Sequence, residues 1–171
     1  MTVSNEGFNK HWPEMKFSKN MLQDALIKHV LGLTNYHMAD IGEVFEVTVN
    51  LKHGNEENWI NSWSTMANRL QKKAQNYEAK DKKINAASAY LRASTYWRVS
   101  LMYFSKTEDD RMKDYCLASQ NCYDKALDLS DYPGTAIQIP YEDTTLPGHY
   151  FTAPSAGQNA PLLIVVPGRD T

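Results

Sequence analysis

The apolar residues change period at Pro133, and that change limits the folds open to the chain more than any other feature. Up to about Ser130 they recur at helical steps. Trp59, Trp63, Met66, Leu70, Ala74 and Tyr77 form one stripe. Ala86, Tyr90, Ala93, Trp97, Leu101 and Phe104 form a second, and Met112, Tyr115, Cys116, Ser119, Tyr123, Ala126 and Leu127 a third. The middle stretch carries a further apolar set, Ile84, Ala87 and Leu91, so its helix is expected between neighbours. These patterns predict three long packed helices over residues 56 to 130.

The boundaries have chemical markers. Gly54 and Asn55 supply a turn and a cap before the first long helix. Thr107, followed by Glu108, Asp109 and Asp110, suits a cap and an acidic first turn at the positive end of the third helix dipole. Nearer the start, Ser18 is placed to cap a helix bearing Met21, Leu22, Ala25, Leu26, His29 and Val30, ending at Gly32. The segment from Met38 to Trp59 is left open: Asp40 can begin a short helix, while β-branched Val44, Val47 and Val49 weaken it.

Beyond Pro133 the pattern is that of strands. Ile137 and Ile139 alternate with polar neighbours, YEDTT supplies turn residues, and LPGHYFTAP resumes with aromatic and threonine content, so a β-hairpin is expected. After the polar loop SAGQNAP, the run Leu162 to Val166 reads as a buried strand, and the loop-like PGRDT after it supplies no partner. The fold class is therefore mainly α: a helical domain over residues 1–133, then opening β-strands, a hairpin plus one further strand, over 134–171.

Bulk chemistry removes several classes of function. A formal charge of -2 across 171 residues, with bases scattered among acids, gives no field to draw in nucleic acid or an anionic membrane. No apolar stretch approaches a membrane span, and the first residues lack a signal core, so a cytoplasmic location is the default. Cys116 and Cys122 point to different sides of a helix and read as small buried hydrophobes. His11, His29, His37, His53 and His149 show no zinc spacing, and neither a metal nor a cofactor is expected.

Four stretches taken in order, AASAYLRASTYWRVS, CYDKALDLS, IQIPYEDTTLPGHYFTAP and PLLIVVPGRDT, resemble the N-terminal part of a family of α/β-hydrolases. The family groups the fermentation-respiration switch protein with fungal pigment-shortening hydrolases and dihydroxypseudooxynicotine hydrolase. The resemblance covers about residues 59 to 171. It implies that the helical region is a lid over an active site, that the hairpin and LLIVVPG are the first three strands of the hydrolase sheet, and that the chain is the first part of a longer enzyme. Such enzymes cleave esters, or carbon-carbon bonds beside a ketone, with a serine on a G-x-S-x-G elbow followed by an acid and a histidine. No G-x-S-x-G occurs in the 171 residues, so no catalytic residue is assigned and the chain alone is expected to be inactive.

The same resemblance places half of an oxyanion hole at Gly168 and Arg169, although the family commonly has a second glycine where Arg169 stands, which would hinder backbone approach. Gly168 reads equally well as a plain loop glycine. Tyr96, Trp97 and Arg98 are the substrate-pocket candidates. Arg98 either pairs with a buried acid or meets a substrate carbonyl or phenolate under the lid. The implied partner is a small carbonyl substrate, and a homodimer is compatible with the sequence. The alternative is a tetratricopeptide-like binding module, because Tyr90 and Tyr123 stand 33 residues apart in helices of similar texture. That repeat has a period of about 34 and needs about three copies, whereas one pair is visible and the strands stay unexplained.

Overall fold

The computed structural model describes residues 15–106, 108–131, 134–153, 157 and 160–166. Its contacts fall into two units, Met1–Asp131 and Tyr132–Thr171. The first is helical: α1 (Met21–Gly32), a 3₁₀ turn (Leu33–Tyr36), α2 (Ile41–Val49), α3 (Glu56–Glu78), α4 (Lys83–Leu101) and α5 (Arg111–Asp128).

Each early helix starts where a short polar side chain can accept from an unsatisfied backbone donor. Asn20 caps α1 by accepting from Gln23 N–H at 3.0 Å. The expected cap, Ser18, lies two residues too early. Its Oγ donates instead to Gln23 Oε1 at 2.9 Å, and its backbone N–H donates to Asp24 Oδ1 at 3.3 Å, fastening the entering chain to the helix start. Asp40 caps α2 and Asn55 caps α3, accepting from Glu43 N–H at 3.1 Å and Asn58 N–H at 2.8 Å. Gly54, at φ 74°, makes the turn before α3 with backbone that glycine adopts without strain.

α5 departs from expectation. Thr107 lies outside the described residues, and the helix begins at Arg111, so Glu108 and Asp109 precede the first turn. The reason is ionic. Asp109 Oδ1 accepts from Arg111 N–H at 3.0 Å and from its Nε at 2.9 Å, while Arg111 Nη2 reaches Glu57 at 3.0 Å. This fork ties the start of α5 to the first turn of α3.

α3, α4 and α5 form the centre of the helical unit. Contacts between α3 and α4 run from Glu78 with Tyr90, through Gln71 with Trp97, to Trp59 with Val99, so the two helices are antiparallel. Trp97 with Tyr115 and Ser94 with Ser119 give α4 and α5 the same relation. The core between them is aromatic and small by turns: Trp59, Trp63 and Tyr96 are fully buried beside Ala67, Ala86 and Ala93. Wide rings facing alanines let helices approach closely while large apolar area leaves water. Cys122 belongs to this core, but Cys116 is exposed, contrary to the reading of both as buried.

The second unit contains an antiparallel hairpin, β1 (Gly134–Tyr141) and β2 (Thr144–Phe151), with Gly134 opposite Phe151 and Tyr141 opposite Thr144. Glu142, at φ 47°, takes the left-handed conformation that a two-residue hairpin turn requires. Gly148 faces Ile137, and a Cβ there would stand 3.3 Å from Ile137 Cγ1 and Ile139 Cδ1, so the glycine leaves room for both isoleucines. Leu162–Val166 forms no strand and is 70–84% exposed. A strand exists only where another backbone accepts its ladder of hydrogen bonds, and this segment pairs with none among the described residues.

Candidate functional site

The three pocket candidates sit together near the end of α4, and the structure gives each a different environment. Tyr96 is fully buried. Its hydroxyl donates to Glu43 Oε2 at 3.0 Å and accepts from Asp40 N–H at 2.9 Å. Glu43 Oε2 also accepts from Arg92 Nε at 2.9 Å, and Arg92 Nη1 donates to Ser88 Oγ at 2.8 Å. Burial above all, with the Glu43 carboxylate alongside, raises the Tyr96 pKa well beyond that of a free phenol. The hydroxyl therefore stays a proton donor, and the group is a closed network that fastens α2 onto α4.

Trp97 is 8% exposed. Its Nε1–H donates to Gln71 Oε1 at 2.9 Å, and its ring centre lies 4.8 Å from that of Tyr115. Packing and hydrogen bonding fix its rotamer, so it shapes the wall of α4 beside Arg98.

Arg98 is partly buried, and burial pushes its pKa below the usual guanidinium value. Among the described residues it makes no hydrogen bond and no ion pair. The expectation of a buried acid beside it is not met, while the acid that the sequence reading did not single out, Glu43, pairs with Arg92 instead. A signal for that pair was present: Arg92 and Tyr96 stand four apart on α4, and one acid three residues into α2 can serve both. It was obscured because the helical state of α2 was itself undecided.

Gly168 and Arg169, the oxyanion-hole candidates, lie outside the described residues. His149 is on β2, its ring 6.4 Å from that of Phe151. A groove of about 320 Å³ between α2 and α3 is spanned by the Arg69–Glu46 ion pair and is lined by neither Tyr96, Trp97 nor Arg98. No helix among the described residues is long and apolar enough to cross a membrane.

Comparison with known proteins extends the resemblance. The family model described as "Esterase FrsA-like" matches residues 34–171, reaching further back than the stretch from Trp59 on which the resemblance rested. An "Alpha/beta hydrolase xenA" of Xenoacremonium sinensis is 30% identical over 159 residues, covering 91% of this chain and 37% of that protein. "20-hydroxy-prefusarin hydrolase FUS2" of Gibberella moniliformis is 34% identical, covering 73% of this chain and 30% of its own length. "Hydrolyase ccsE" of Aspergillus clavatus is 32% identical, covering 83% and 36%. The chain thus spans 30–37% of the length of these relatives.

Proposed function

Because the chain belongs to the FrsA-like esterase family, within the α/β-hydrolases, we propose that it is the lid-bearing part of a serine hydrolase acting on a small carbonyl substrate. The observation that carries this reading is the family match, which runs through the helical bundle and the hairpin together. In this reading the helical region over residues 1–133, centred on the α3–α4–α5 bundle, is the lid, β1 and β2 open the catalytic sheet, and Leu162–Val166 supplies its next strand once neighbouring strands accept its hydrogen bonds.

The reaction is attack by an activated serine on an ester carbonyl or on a ketone whose adjacent carbon-carbon bond breaks. Nucleophile, acid and histidine come from sequence outside these 171 residues, which hold no G-x-S-x-G. Gly168 and Arg169, outside the described residues, are the candidates for a backbone N–H toward the developing oxyanion. On the substrate side, Tyr96 and Trp97 hold α4 in place and Arg98 is the residue of the three that is left to meet a ligand. One relative's name specifies a hydrolase of 20-hydroxy-prefusarin, which favours a functionalised natural product over a simple lipid ester.

The test is a kinetic survey of the gene product that contains this chain, with activated esters on one side and 1,3-diketones on the other. Hydrolysis of either class, abolished by a serine-directed fluorophosphonate, is expected. An active protein indifferent to that reagent, or a folded protein inert toward both classes, contradicts the reading.

A further inference from the structure

Arginines are costly to bury, and Arg92, the most enclosed of the paired ones, has Glu43 beside it. The more exposed Arg69 and Arg111 also have acids, Glu46 for the first and Glu57 with Asp109 for the second. Arg98 is the exception, making neither an ion pair nor a hydrogen bond among the described residues although it is partly withdrawn from water. A desolvated cation with no counter-charge works against folding.

Arg98 stands on α4 at the border of the side that Ser94 turns to α5. The helix presents Tyr96 and Val99 to the tryptophans of α3, Ser94 and Trp97 to α5, and Arg92 to Glu43 of α2. Leu91, Thr95, Arg98 and Met102 follow at steps of four, three and four, which puts them on one face. No interhelical hydrogen bond or ring pair starts from these four among the described residues, and the Thr95 hydroxyl donates within the helix, to Leu91 O at 3.2 Å. Thr95 is buried beneath this face and Leu91 packs in part on the core, while Leu91, Arg98 and Met102 stay partly exposed, so the face offers two apolar side chains around one uncommitted, planar, always-charged fork. A fork of that kind matches the two oxygens of a carboxylate, or a single phenolate or enolate oxygen, with charge-assisted hydrogen bonds.

We infer, taking the identity of the occupant from the hydrolase reading, that Arg98 binds an anionic oxygen on a small, otherwise apolar substrate. Leu91 and Met102 would flank the apolar body, and the salt link would fix where the reacting carbonyl lies. Arg98 is in this sense a specificity-determining residue and takes no part in proton transfer.

The test is equilibrium binding to the full-length gene product, by calorimetry, of two charged probes and their neutral counterparts: benzoate against benzamide, and 4-nitrophenolate at pH 8.5 against 4-nitroaniline. Wild type should prefer the charged member of at least one pair, and which pair responds distinguishes a carboxylate from a phenolate-type ligand. Arg98→Met should weaken that probe by about 10–100-fold, the range for a lost hydrogen bond to a charged group, with its neutral counterpart held to within about twofold. Arg98→Lys, which keeps charge and loses the fork, should fall between. Melting temperature should be unchanged or higher in Arg98→Met, since the variant removes an unpaired cation. No charge preference in wild type, an unaltered preference in Arg98→Met, or a loss of several degrees in that variant, as an acid supplied from elsewhere in the protein would give, overturns the inference. Arg98-dependent binding in a protein that hydrolyses no ester or diketone would remove the hydrolase reading and leave the anion site standing.

Discussion

Cys116 and Cys122 are six positions apart on one helix, and burial alone separates their chemistry. Cys122 is 1% exposed, and desolvation pushes its thiol up to about 11, whereas Cys116 lies at the surface. Thiolate is the reactive form, so iodoacetamide at pH 8 should modify Cys116 in the folded protein and spare Cys122 until denaturant is added, as read by peptide mass spectrometry. Glu78 gives a second residue-level expectation. The Lys125 ammonium at 2.8 Å and then the Tyr90 hydroxyl at 2.7 Å hold its carboxyl below the ordinary 4.5. A depressed folded pKa means stabilisation that is present above the unfolded value and lost as pH falls through the folded one. The melting-temperature gap between wild type and Glu78→Gln should accordingly be full at neutral pH and shrink on acidification below pH 4.5. A gap that widens on acidification would contradict this sign. Tyr96→Phe removes one hydroxyl shared by Glu43 and the Asp40 N–H, and a loss of about 1–3 kcal/mol is expected in urea titration.

At the scale of elements, α4 is the member on which the others depend, since α2, α3 and α5 each bond or stack against it. Trp97→Ala deletes a buried ring that touches both α3 and α5, and should destabilise the helical unit by about 3–5 kcal/mol. An unchanged melting temperature would place that ring in solvent. The three long helices were legible because their apolar stripes hold register through many turns, as Trp59, Trp63 and Leu70 do in α3. α2 was not, because β-branched Val44 and Val47 oppose a helix locally and are overruled by their burial and by the Asp40 cap. The start of α5 was misplaced because Asp109, read as a first-turn acid, instead accepts from Arg111, which also reaches Glu57 of α3. The hairpin was legible from alternation and its turn, since both strands find partners within a few residues. Leu162–Val166 has the composition of a strand, yet strand formation depends on a partner that local sequence cannot supply. For the candidate site, sequence brought Tyr96, Trp97 and Arg98 to notice as neighbours; which of them are held in the core and which is uncommitted depended on Glu43 and Gln71, residues far away in sequence.

For the molecule as a whole, the central claim is that these 171 residues serve a serine hydrolase whose chemistry resides elsewhere in the same gene product. Acyl transfer needs a nucleophile, a base, a group to orient that base, and oxyanion donors, and only the last has candidates here. Losing such a set as a unit removes orders of magnitude in rate. The direct measurement is fluorophosphonate labelling of the 171-residue chain and of the gene product that contains it, side by side, with the modified serine located by mass spectrometry. The expected result is one labelled serine, in the longer protein only, lying outside residues 1–171. Covalent labelling of a serine within these residues, or turnover by the short chain, would contradict it.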